Sequence, residues 1–175
     1  MNSKKNKILK YLVFILIALT TLSSCEGNDM NSEKGFNNLS KLIEQKNFDD
    51  LSLTIYFISP SILTRAPLSV DDLINFDDVK NIVISGSDLE EHMDLFEQIT
   101  KVDLIPVKIK SRVNARLYYF FEIEKKDKIL DVAMWGKDSS VFINGLEVKG
   151  NSIFYDIVMP FLPTDEFKTY PYGIK

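Results

Sequence analysis

One cysteine and one histidine are all this 175-residue chain offers of the residue types from which many catalytic and metal sites are built. Cys25 has no second thiol with which to close a disulfide, so the fold must rest on its core. His92 alone cannot form an HExxH metal motif, and the seven glycines form no phosphate-binding loop. A GxSxG serine elbow is also missing. The apolar run is short. Its uncharged stretch ends at Glu26, below the roughly 20 residues a membrane-crossing helix needs. No internal repeat and no long proline- or serine-rich linker divides the chain. Acids outnumber Lys and Arg 25 to 21, which argues against nucleic acid as a partner.

What is present begins with MNSKKNKILK, four lysines without an acid, followed by YLVFILIALTTL over residues 11–22. A basic segment before a short apolar core is the pattern of an export signal. Leu22, Ser23, Ser24 and Cys25 then close the apolar run. This arrangement resembles the bacterial lipoprotein signal peptide, with Leu22, Ser23 and Ser24 in its lipobox and Cys25 at the modified cysteine. The resemblance covers residues 1–25. It implies a diacylglyceryl thioether on Cys25, cleavage before it, and a new amine open to further acylation. Two acyl chains hold a protein stably at a membrane, whereas one holds it weakly. Removing the four leader lysines lowers the basic count from 21 to 17 against 25 acids, a formal charge of about −8. The remainder resembles small lipoproteins of low-GC bacteria in its Lys, Asn and Ile content, which implies no particular activity.

The division expected is a signal peptide over 1–24, a lipidated cysteine and flexible tether over 25–37, and one globular domain over 38–175. Polar EGNDMNSEKGFN supplies the tether. A short helix is expected over 38–47 and strands over 51–59 and 80–86. Ser69 with Asp72 marks a helix over 70–75. Ser87 with Glu90 marks a cleaner capping box, opening an amphipathic helix over 88–99 with Leu89, Met93, Phe96 and Ile99 on one face. Further strands are expected over 102–109, interrupted at Pro106, and over 114–124, 129–136, 140–148 and 151–163. Asn144-Gly145 fits a tight type I′ hairpin turn. Thr164 is placed to cap a short helix from Asp165. Consecutive strands with short turns point to an α+β fold. Its antiparallel or mixed sheet carries the 88–99 helix on one face.

Candidate sites are few. Arg65, Arg112 and Arg116 are the only arginines, and arginine makes bidentate contacts to carboxylates and stacks on rings. With Tyr118, Tyr119 and Trp135 they form the candidate binding set, alongside lipidation at Cys25. The competing reading gives the arginines internal partners such as Asp131 and assigns the aromatics to the core. Tyr118, Tyr119, Phe120 and Phe121 are consecutive, so a strand places two on each face. Asp131 with Glu122 is the one carboxylate pair that a hairpin could bring into a shared cleft. Asp71, Asp72, Asp77 and Asp78 lack EF-hand spacing and its central glycine. His92 reads as a boundary residue. No catalytic residue, cofactor or metal ligand set is expected.

The resulting expectation is a non-enzymatic lipoprotein on the extracytoplasmic face of the cell membrane. It is held there through Cys25 and binds an envelope or extracellular protein or peptide. Loop 60–68 and the region 111–119 are the preferred contacts. A carboxylate-dependent envelope hydrolase and an anion or small-ligand binding lipoprotein are the alternatives.

Overall fold

The structure is a computed structural model that describes residues 27–163 apart from 60, 109, 125, 126 and 138, with side chains from Lys34 onward except that of Asp127. Cys25, the lipobox and the expected helix from Asp165 lie outside the described residues. The fold is α+β. Six strands form one antiparallel sheet: β1 Leu51–Phe57, β2 Lys80–Ile84, β3 Leu117–Ile123, β4 Asp127–Met134, β5 Val141–Ile143 and β6 Leu146–Val148. Their order across the sheet is β2-β1-β3-β4-β5-β6. β1 and β3 pair from Leu51 opposite Ile123 to Phe57 opposite Leu117, which makes them the centre of the sheet.

Period-two alternation splits the strands between two faces. One face carries Leu53, Ile55, Phe57, Tyr119, Phe121, Val132 and Ile143, all within the larger apolar core. Each fully buried side chain of this size contributes about 1.5–3 kcal/mol. Helix α1, Gly27–Glu44, covers this face with Phe36, Leu39 and Ile43 at helical spacing. Gly35 permits that approach, because a Cβ there would stand 2.1 Å from the Ile129 carbonyl oxygen. The expected tether is therefore corrected from Gly27 onward. The helix starts well before residue 38, and Gly35 and Phe36 are already packed on the sheet.

The other face carries Ser52, Thr54, Tyr56, Tyr118, Phe120, Ala133 and Phe142. The crossing from β1 to β2 covers part of it. There, helix α2, Val70–Ile74, buries Leu73 in a second, smaller cluster with Ile58, Ala115, Tyr118, Ala133 and Phe142. The weaker sequence signal proves to be a complete capping box. Ser69 accepts from the Asp72 amide, and the Asp72 carboxylate accepts from the Ser69 amide.

The helical stretch expected over 88–99 covers the larger core but is broken into α3 Gly86–Glu90, α4 Met93–Phe96 and a 3-10 turn Ile99–Lys101. Leu89, Phe96 and Ile99 are the three buried anchors. The break falls at His92, whose φ of −112° and ψ of 21° are not helical and whose ring packs edge-on against Phe161 at 4.9 Å. Tertiary contacts here override helix propensity. Ser85 takes the N-cap position and Ser87 does not. Gly86, the first residue of this helix, lies so close to the chain at Phe48 that a Cβ there would stand 1.6 Å from the Phe48 carbonyl oxygen.

Two expected strands are replaced. Residues 102–109 contribute a single bridge, Pro106 to Val148, since proline lacks the donor a ladder needs. Residues 151–163 form helix α5, Ile153–Asp156, and a 3-10 turn Met159–Phe161. Ile153, Phe154, Ile157 and Val158 are buried at i, i+1, i+4 and i+5, the spacing of a helix and not of a strand. The Asn144-Gly145 turn forms as expected, with φ of 48° and 78°.

Candidate functional site

The strand alternation separates Tyr118 from Tyr119. Tyr119 is fully buried in the larger core and its hydroxyl donates to the Phe154 carbonyl at 2.7 Å. Burial pushes that phenol well above its ordinary pKa. Tyr118 lies on the opposite face, where Lys128 donates to its hydroxyl at 3.1 Å and sits over its ring. Burial raises the Tyr118 pKa, and the Lys128 bond only partly offsets it. The Lys128 ammonium loses hydration, but its bonds to Asp131 at 2.6 Å and to Tyr118 outweigh that loss and raise its pKa. Tyr56, Tyr118 and Phe120 pack ring to ring beside it. Both tyrosines are thus packing residues, corrected from the candidate contact set.

Arg116 is also buried. Its Nη1 donates to Asn114 Oδ1 at 2.9 Å and to the Ala115 carbonyl at 3.0 Å, and its Nη2 to Thr64 Oγ1 at 2.5 Å. Asn114 Oδ1 accepts in addition from the Leu68 amide at 3.2 Å, and the Ala115 amide donates to the Leu68 carbonyl at 2.9 Å. Arg116 therefore sews loop 61–68 to the entry of β3. This role replaces direct ligand contact. The sewn loop presents Leu63, 87 % exposed, beside exposed Arg65. Leu63 was missed in the sequence, because an isolated leucine in a polar loop carries no pattern that marks it as exposed.

Arg112 and Trp135 are brought together. They line a cleft of about 150 Å³ with Ser111, Asn114, Ser139, Ser140 and Phe142. After β4 the Ser139 hydroxyl accepts from the Trp135 and Gly136 amides, both at 3.0 Å. Behind the cleft, buried Glu147 accepts from the Ser111 amide and from the Ser111 hydroxyl at 2.7 Å. Burial alone would raise the Glu147 pKa. The bonds from Ser111 and Ser140 and the Lys110 charge prevail and hold the carboxyl below its ordinary value. The cleft thus combines a guanidinium, an indole and three serine hydroxyls, a chemistry that accepts carboxylates and peptide groups. Of the three arginines only Arg112 lines it, so it lacks the double-arginine pocket that an anion-capturing site calls for.

The carboxylate pair does not converge on a reacting position. Glu122 accepts from the Ser52 hydroxyl at 3.3 Å, while Asp131 is held by Lys128. Asp131 also anchors the β5–β6 turn, its amide donating to Asn144 Oδ1 at 2.8 Å. Among the acidic pairs, Asp72 is committed to its helix cap, and hydrogen bonds from Ser69 lower its pKa. Asp77 and Asp78 are exposed before β2. Among the described residues no helix is long and apolar enough to cross a membrane, and no group of His, Cys, Asp and Glu is placed to hold a metal ion. Comparison with family models, with curated proteins and with solved structures found no match.

Proposed function

We propose that the chain is a lipid-anchored extracytoplasmic domain that binds another envelope or extracellular protein or peptide. The observation that carries the binding half is one exposed surface of mixed chemistry. Leu63 and Arg65 stand on the loop that Arg116 fastens, and Arg112 and Trp135 stand at the adjoining cleft. Tryptophan and arginine at an exposed surface are the residue types enriched among interface anchors, and Leu63 adds exposed apolar area beside them. The anchoring half rests on the basic leader, its short apolar core and Cys25. The engagement of Asp131 by Lys128 and of Glu122 by Ser52 favours this reading over a carboxylate-dependent hydrolase.

The test is photo-crosslinking in intact cells, with a reactive amino acid placed at Leu63, at Trp135 or at exposed Asp94 as control. The reading predicts one discrete crosslinked partner from Leu63 and Trp135 and none from Asp94. The same products from all three positions, or none from any, contradict it.

A further inference from the structure

The two outer strands of the sheet are treated differently. Beyond β6, the Val107 amide donates to the Glu147 carbonyl and the Lys149 amide to the Ile105 carbonyl, so residues 105–107 close that edge. Beyond β2, no strand pairs among the described residues. Which groups are left outward follows from the register. Ile58 donates to Arg116 and Glu124 to Asp50, so the even-numbered residues of β1 bond to β3. The odd ones, Leu53, Ile55 and Phe57, face Ile84, Ile82 and Lys80 of β2. Strand geometry then turns the N–H and C=O groups of Asn81 and Val83 away from the sheet. Both side chains are exposed, Val83 by 59 %.

Such a row is a template for an added strand, and the charges around it select the occupant. Exposed Asp77 and Asp78 precede the edge and outnumber the single exposed Lys80 at its first residue. At its far end Asp49, Asp50, Asp88 and Glu124 line an open cleft of about 410 Å³ that reaches Val83. A second copy pairing antiparallel about Ile82 would set Asp77 and Asp78 of one chain beside Asp88 of the other. Like charges brought together at the two ends of such a pair repel each other. A strand flanked by lysine or arginine meets attraction at both ends instead.

We propose that the outer edge of β2 binds an extended, cationic segment of a partner protein by strand addition. The main-chain groups of Asn81 and Val83 supply the hydrogen bonds, and the acids at the two ends supply the charge preference. The inference rests on the reading of the domain as a peptide-binding module, but not on the Arg112 cleft.

The probe is a fluorescent peptide, Lys-Lys-Val-Thr-Val-Thr-Lys-Lys, added to the full chain in nonionic detergent. A control peptide has glutamate at every lysine position. Binding of the lysine peptide at least about tenfold tighter than the control is expected, and it weakens with salt. Amide exchange at Asn81 and Val83, fast without peptide, slows on binding, while Ile82 and Ile84 change little. Val83→Pro removes an outward donor and weakens binding about tenfold. The double charge reversal Asp49→Lys, Asp50→Lys lowers or inverts the preference between the two peptides.

Equal binding of the two peptides, or unchanged exchange at Asn81 and Val83, overturns the proposal. So does slow exchange there before peptide is added, or a concentration-dependent dimer that Val83→Pro dissolves. If Arg112→Ala with Trp135→Ala abolishes binding while Val83→Pro retains it, the peptide sits in the cleft. That result overturns the edge site and leaves the proposed function standing. Failed crosslinking from Leu63 and Trp135 beside intact edge binding has the reverse meaning.

Discussion

Tyr118 and Tyr119 are neighbours in sequence and belong to different environments. Tyr119 faces a layer closed by α1 and the short helices, where side chains on the strands are almost wholly apolar. Tyr118 faces the side that residues 58–79 cover only in part. The buried polar residues Ser52, Thr54, Arg116 and Glu147 are all on that side. The larger apolar core lies on the first face. On the second, Arg116 holds loop 61–68 and Glu147 holds Ser111, and the segments there carry the exposed leucine, tryptophan and arginines.

The sharpest test of this division is cavity formation. Phe121→Ala, on the closed face, is expected to cost about 3–5 kcal/mol, whereas Phe120→Ala on the open face costs about 1 kcal/mol. Urea denaturation of both checks the ranking, and equal losses would erase the distinction between the faces. Next in size is Gly35→Ala, which drives a Cβ into the β4 backbone. A loss of about 2 kcal/mol is expected, with the α1 amides exchanging faster than those of β3.

The tyrosine pair offers a finer comparison. Tyr119→Phe leaves the buried Phe154 carbonyl without its donor and is expected to cost about 1–2 kcal/mol. Tyr118→Phe gives up one partly buried bond from Lys128, with a cost of about 0.5 kcal/mol.

Glu147 tests the polar side by pH. Its folded pKa lies below the ordinary glutamate value of about 4.5, so its ionised form stabilises the fold above that value. The contribution is lost as pH falls through the lowered folded value. The denaturation midpoint of wild type should exceed that of Glu147→Gln at pH 7, and the gap should narrow below about pH 4.5. A gap independent of pH would contradict this role. Trp135→Ala is expected to cost less than Phe121→Ala, because the indole is 36 % exposed, and to lose the partner captured through Leu63.

Local signals explain what the sequence made legible. Alternating Leu51, Leu53, Ile55 and Phe57 can bury one face only as a strand, and Asn144-Gly145 tolerates the positive φ that its hairpin requires. Ser69 and Asp72 mark their cap from three residues apart. Non-local packing decided the rest. His92 breaks a regular helical pattern where its ring meets Phe161, nearly 70 residues later. The helix at Ile153–Asp156 was hidden by a run of aromatic and β-branched residues that suits a strand equally well. Of the six candidate contact residues, Arg112 and Trp135 meet in one cleft and Arg65 stands on the neighbouring loop. The burial of Arg116, Tyr118 and Tyr119 depends on what crosses the sheet, which no spacing in the chain encodes.

The proposed position of this domain, outside the cytoplasm on a lipid tether, is tested most directly by fatty-acid labelling in intact cells. An alkyne-bearing palmitate analogue should label the wild-type chain, leave Cys25→Ser unlabelled, and mark a product that external protease can reach. Label persisting in Cys25→Ser, or a wild-type chain that is unlabelled and protected inside the cell, would contradict it.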